Sequence, residues 1–214
     1  MRLLFGLLMA VAWCGLADRL HADPADESLR LYAVNILHES SGPWDAVYLG
    51  KGLILSAAHV VNSATPVVRI SGIELPAKVV KIGEYEQVDL ALLSVDEERL
   101  PVNLRLRRMP LCQQQPRVGQ QVIVAVPARI ARSRIMSPNV LAPSVRARFS
   151  TLIGDVATTG NSGSGVFDAN RKCLMGIMSR KFQTRPPNGE PKDIAKYFVP
   201  ASTIAAFIPT QYRF

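Results

Sequence analysis

Three histidines and three cysteines are all that 214 residues hold. No metal site and no cofactor is assigned from so sparse a set. Heptads that favour long helices are absent, as are internal repeats and low-complexity tracts. This excludes coiled-coil and solenoid architectures. Charged residues make up only 20% and apolar residues 48%. That is a globular composition, neither disordered nor fibrous. Long apolar runs are also missing, apart from Leu3 to Trp13, which is too short to span a bilayer as a stable helix.

That run follows the basic start Met1-Arg2 and reads as an export signal. Two small-x-small sites could end it, Gly15-Leu16-Ala17 and Leu20-His21-Ala22. We take residues 1–22 as the signal, which makes the protein exported, periplasmic or extracellular. Trp13 stands where a lipid-attachment site at Cys14 needs a small residue. Cys112 and Cys173 then remain, and an exported chain with two cysteines suggests one disulfide. Two buried free thiols are the alternative.

The formal net charge is +8. Such a surface attracts polyanions and acidic peptides. The basic residues are scattered or in short groups, such as Arg105, Arg107 and Arg108, and no nucleic-acid motif accompanies them. They read as a solubilising surface, with no specific nucleic-acid partner.

Short Val/Ile/Leu-rich runs separated by Gly, Pro, Asn and Ser indicate an all-β fold. Strands are expected at Leu31 to His38, Ala46 to Leu49, Leu53 to Ser56, Val67 to Ile70, Ile73 to Ile82 (interrupted at Pro76) and Val88 to Val95. Residues 96–117 are charged, then Pro- and Gln-rich, and read as a linker. A second set is expected at Val122 to Val126, Arg129 to Ile135, Val145 to Ile153, Gly165 to Phe167, Leu174 to Met178 and Tyr197 to Val199. Ser202 is placed as the cap of a short helix with Ile204, Phe207 and Ile208 facing the core.

Hydrolysis by a serine needs a hydroxyl, a neutral imidazole to take its proton, a carboxylate to orient that imidazole, and backbone N–H groups for the oxyanion. His21 falls beside the signal and His38 near a strand end. His59 follows Leu53-Ile54-Leu55-Ser56 and the small pair Ala57-Ala58, which lets an imidazole face a cleft. Asp89 heads the apolar run Val88-Asp89-Leu90-Ala91-Leu92-Leu93, a costly place for an acid without a partner. Ser162 sits in Gly160-Asn161-Ser162-Gly163-Ser164-Gly165, where glycines permit the backbone angles that let the N–H groups of Gly160 and Ser162 point at one spot. Each has an ordinary alternative: a structural histidine, a strand-capping aspartate, a Gly/Ser turn. Ser164 is a rival nucleophile.

Gly52-Leu53-Ile54-Leu55-Ser56-Ala57-Ala58-His59-Val60 resembles the histidine motif of trypsin-like (chymotrypsin-fold) serine proteases. Val88 to Leu93 resembles their aspartate motif. Gly160-Asn161-Ser162-Gly163-Ser164 is similar to the serine motif of bacterial glutamyl endopeptidases. The order His, Asp, Ser is the family's, and the likeness covers roughly residues 30–208. It implies two six-stranded antiparallel β-barrels, one over 23–110 carrying His59 and Asp89, the other over 111–214 carrying Ser162. It implies His59 as general base and acid, Asp89 as its orienter, Ser162 as nucleophile, and the N–H groups of Gly160 and Ser162 as oxyanion hole. The expected activity is that of a serine endopeptidase acting on protein or peptide through an acyl-enzyme.

The chain departs from the pattern at several places. Gly165 stands where the family usually has proline, and a looser turn is expected there. Met178 replaces the histidine of glutamyl endopeptidases. Val156 and Ala157 are expected at the base of the specificity pocket, with Ser179 and Arg180 beside the bound substrate. The Arg180-Lys181 departure supports a second reading, a catalytically silent protease-fold binding module with a basic surface.

Overall fold

The computed structural model describes residues 23–38, 43–154, 160–186 and 189–213. The export signal expected over 1–22 lies outside these residues.

Among the described residues, the first half forms seven strands: β1 Ala33–Leu37, β2 Trp44–Gly50, β3 Leu53–Ser56, β4 Val67–Ile70, β5 Ile73–Pro76, β6 Lys78–Ile82 and β7 Ala91–Ser94. All neighbours are antiparallel, in the order β5-β4-β1-β2-β3-β7-β6. The described residues of the second half form six: β8 Gln121–Val126, β9 Arg129–Met136, β10 Leu152–Ile153, β11 Gly165–Asp168, β12 Leu174–Thr184 and β13 Lys192–Pro200. These close into a barrel in the order β10-β13-β12-β11-β8-β9. Among the described residues, four short α-helices accompany them: α1 Pro24–Glu27, α2 Val102–Arg105, α3 Pro143–Arg146 and α4 Ala201–Phe207.

Two barrels of six strands were expected. The second half meets the expectation. The first is a seven-stranded sheet whose edges share no ladder among the described residues. The extra strand comes from Pro76. Proline has no N–H to donate, and the run expected as one interrupted strand divides into β5 and β6 at opposite edges. Only Ala77 separates them, and consecutive Cα atoms lie about 3.8 Å apart. The sheet is therefore curled until its edges nearly meet, held there by the chain itself.

The strand expected over Val145 to Ile153 shrinks to Leu152–Ile153, because helix α3, started by Pro143, runs into its first residues. Helix α4 begins after Pro200 rather than under a Ser202 cap. Its Ile204, Phe207 and Ile208 are buried as expected. Gly50, Lys51 and Gly52 all take positive φ in the β2–β3 turn. A side chain at Gly52 would collide with the Val95 carbonyl, so glycine is required there.

Both faces of the central strands are covered. On β2, Ala46 and Tyr48 point into the first sheet's own core. Val47 and Leu49 point into a seam shared with Ile123, Phe167 and Ile177 of the second barrel. The second barrel has its own interior around Val124, Val166 and Phe198.

The first and last described segments cross over. Helix α1 and the 3-10 turn Ser28–Tyr32 lie on the second barrel. Buried Asp26 pairs there with Arg132 and Lys172, and Arg30 Nη2 donates to the Pro127 carbonyl at 2.8 Å. In return, Lys81 of β6 donates to the Phe207 carbonyl of α4 at 2.8 Å and lies 4.5 Å from that ring's centroid. Cys112 and Cys173 form a disulfide, with Cα atoms 5.1 Å apart. This agrees with the bonded alternative.

Candidate active site

Strand β3 ends at Ser56, and the buried pair Ala57-Ala58 leads into a single 3-10 turn, Ala58–Val60. The small residues let that turn sit close against the sheet. His59 projects from it with its side chain 27% exposed. Trp44 meets the imidazole edge-on with centroids 6.2 Å apart, and Tyr85 does so at 5.1 Å.

Asp89 lies just before β7, where Leu90 N–H closes a tight turn on the Val88 carbonyl at 2.8 Å. It is 3% exposed. Its Oδ2 is 2.8 Å from His59 Nδ1, and its Oδ1 accepts the His59 backbone N–H at 3.1 Å. Ser179 Oγ donates to the same Oδ2 at 2.5 Å. Burial pushes the Asp89 carboxyl up. The hydrogen bonds from the His59 ring, the Ser179 hydroxyl and the His59 N–H outweigh it, and the carboxyl is held below its ordinary value.

Ser162 sits on the turn that enters β11. Its Oγ donates to the Ser179 carbonyl at 3.1 Å. No hydrogen bond joins that Oγ to His59 among the described residues. Ser179 therefore bridges the site, with its hydroxyl on Asp89 and its carbonyl under Ser162. Gly163, at φ 89°, packs where any side chain would strike the Asp45 backbone and the Ser56 hydroxyl. Gly165 does not loosen a turn. It is the first residue of β11, packed against the Phe167 ring and Val47.

A cavity of about 610 Å³ opens beside Ser162, lined among others by Trp44, Asp45, Arg129, Arg180, Lys181 and Lys196. The Arg180 guanidinium lies over the Tyr85 and Phe149 rings at 4.1 and 4.6 Å, and it donates to the Tyr85 carbonyl at 2.6 Å. It thus stands at the cavity wall with its donors partly engaged. Ser179 is buried, so its hydroxyl serves Asp89 rather than the cavity. Val156 and Ala157, expected at the pocket base, lie outside the described residues.

The structure brings His59, Asp89 and Ser162 into one place from three distant segments. Sequence reasoning missed a second group behind Ser162. Buried Asp45 takes the Ser164 hydroxyl on Oδ2 at 2.8 Å and the Asn35 amide on Oδ1 at 3.3 Å. Ser164 is fully buried, which removes it as a rival nucleophile. Lys196, also buried, donates to the Gly160 carbonyl. Burial raises the Asp45 carboxyl against the opposing bonds from Ser164 and Asn161 and the nearby Lys196 charge. Burial, aided by the Lys181 charge, lowers the Lys196 ammonium. The signal existed in the sequence, since Asp45 and Lys196 each interrupt an apolar run just as Asp89 does.

A curled β-sheet packed on a closed six-stranded barrel, with the site at their seam, is the chymotrypsin-like fold. Solved structures agree. Kallikrein-related peptidase 10 in complex with Zn2+ superposes with a TM-score of 0.64 at 21% identity, over 86% of this chain and 96% of that one. The MamO protease domain from Magnetospirillum magneticum gives 0.59 at 22% identity, over 85% and 97%. The active form of the Rv3671c protease from M. tuberculosis gives 0.59 at 17%, over 86% and 82%. A sequence comparison with curated proteins finds no match. The family described as trypsin-like peptidase domain matches residues 45–177. The chain belongs to the trypsin-like peptidase family.

Proposed function

We propose that this chain is an exported serine endopeptidase in which His59, Asp89 and Ser162 form the catalytic triad. The first sheet, within residues 23–110, supplies His59 and Asp89. The second barrel, within 111–214, supplies Ser162 and the backbone donors. The observation that carries the reading is the buried Asp89 carboxylate, which holds both the His59 ring and its backbone N–H while Ser179 links it to Ser162.

The chemistry follows from these roles. Asp89 accepts the Nδ1 proton of His59, leaving the Nε2 lone pair free as a base. The Ser162 hydroxyl exchanges its Ser179 acceptor for Nε2 and attacks the scissile carbonyl as its proton passes to the imidazole. The N–H groups of Gly160 and Ser162 receive the oxyanion. The imidazolium, stabilised by Asp89, returns the proton to the departing amine. Water then releases the acyl group by the same route in reverse.

The test is covalent labelling by a fluorophosphonate. The wild-type protein labels and Ser162→Ala does not; equal labelling of both sinks the assignment. One observation favours the second reading, a catalytically silent binding module: the Ser162 hydroxyl rests on the Ser179 carbonyl instead of on His59. Folded protein that neither labels nor hydrolyses an unfolded protein mixture would establish it.

A further inference from the structure

The peptide group between Gly160 and Asn161, immediately ahead of Ser162, is gripped at both ends. Its carbonyl accepts the Lys196 ammonium. Its N–H points at Asp45 Oδ2, 3.3 Å away, and at Ser164 Oγ, 3.0 Å away. Ser164 has one hydroxyl hydrogen and two acceptors in reach, Asp45 Oδ2 at 2.8 Å and the Asn161 carbonyl at 2.6 Å. Donation to Asp45 leaves a Ser164 lone pair facing the Asn161 N–H. The backbone of Asp45 adds its own N–H to the Ser162 carbonyl at 3.3 Å. The gripping groups come from β2, from the entry to β11 and from β13, so both halves of the molecule close on one peptide plane.

Such a grip is expensive. A buried acid and a buried ammonium each lose hydration, and well-packed apolar residues often serve stability as well or better. What the pair supplies is direction. Fixing one peptide plane constrains ψ of Gly160 and φ of Asn161. Gly160 sits at φ 72°, a region with little intrinsic preference to hold it there.

We propose that Asp45, with Ser164 and Lys196, is a positioning residue that clamps the Gly160–Asn161 peptide and so aims the N–H groups of Gly160 and Ser162, one on either side of it, at a common point. The proposal rests on the reading of Ser162 as the nucleophile. None of the three side chains touches the reacting atoms; they act through the turn.

The experiment measures fluorophosphonate labelling kinetics at Ser162, resolved into the probe's apparent binding constant and its maximal rate. Asp45→Asn lowers the maximal rate at least about tenfold and leaves the binding constant within about twofold, the split expected of an interaction made chiefly in the transition state. Ser164→Ala acts in the same direction. The double variant labels no more slowly than the slower single one, because both act through one peptide. Lys196→Met slows labelling from the other end. A purely structural role would instead reduce the fraction of molecules that label, at an unchanged rate per competent molecule. Should Asp45→Asn fail to fold, judged by near-ultraviolet circular dichroism, Ser164→Ala and Lys196→Met carry the test. Wild-type maximal rates in the folded variants overturn the clamp. Ser162→Ala is run alongside, so failure of the nucleophile assignment appears there and failure of the clamp only in the other variants.

Discussion

Replacing Asp89 by Asn tests the site at its most constrained atom. The carboxylate accepts three hydrogen bonds, two of them on Oδ2. Asparagine has one oxygen and one NH2. With its oxygen kept toward the His59 backbone N–H, the NH2 faces His59 Nδ1 and the Ser179 hydroxyl. Nδ1 must then accept, which moves the ring proton to Nε2, the nitrogen that has to receive the Ser162 proton. With the amide flipped, NH2 opposes the His59 backbone N–H, donor against donor. Neither orientation restores the original pattern, although the shape is kept. The maximal labelling rate is expected to fall by about four orders of magnitude, which is about 5 kcal/mol of barrier. Stability carries a second signature. The Asp89 carboxyl is held below its ordinary value, so its ionised form contributes stability above the unfolded value, near pH 4. That contribution is lost as pH falls through the folded value. In Asp89→Asn this loss is absent, and the acid side of the stability profile is flatter. Stopped labelling with urea melts at several pH values measures both. An Asp89→Asn protein that labels within about tenfold of wild type refutes the tautomer argument.

Two further variants probe the frame around the site. The disulfide closes a separation of 61 residues; changing Cys112 and Cys173 to Ser costs about 4 kcal/mol by loop entropy. A calorimetric melting temperature lowered by roughly 8–16 °C would register it, at about 2–4 °C per kcal/mol for a chain of this size. Asp26→Ala removes the buried partner of Arg132 and Lys172. Both cations retain a path to water, so the loss is about 2 kcal/mol, below the range for a stranded buried charge; an unchanged melting temperature would show that the α1 contact is idle.

The grouping of His59, Asp89 and Ser162 was more legible than the frame around it. His59 stands out because the chain has only three histidines, and Ser162 because glycines flank it on both sides. Asp89 was legible because an acid in an apolar run demands a partner. The same reasoning, applied to Asp45 and Lys196, would have found the group behind Ser162. It was obscured because neither belongs to a motif. The strand count of the first half failed at Pro76, where one missing N–H turns a long strand into two at opposite sheet edges. Val145 to Ile153 misled because its apolar Val145 and Phe149 pack on Leu141 and Ala195 from helix α3 and the segment after it, leaving only two residues as strand. The strongly buried strands showed little period-2 alternation, since β2 packs against a core on one face and the seam on the other.

The crossed ends have a consequence for a cleaved molecule. The stretch around α2 exposes Val102 at 59% and Leu106 at 75%, and a single nick there would divide the chain between its two halves. The disulfide does not bridge that point, since both cysteines follow it. Yet each fragment would leave with an arm seated on the other: Asp26 and Arg30 on one side, Phe207 under Lys81 on the other. A nicked molecule therefore behaves as a two-chain complex joined like clasped hands. Separating it means withdrawing both arms and opening the apolar seam at once.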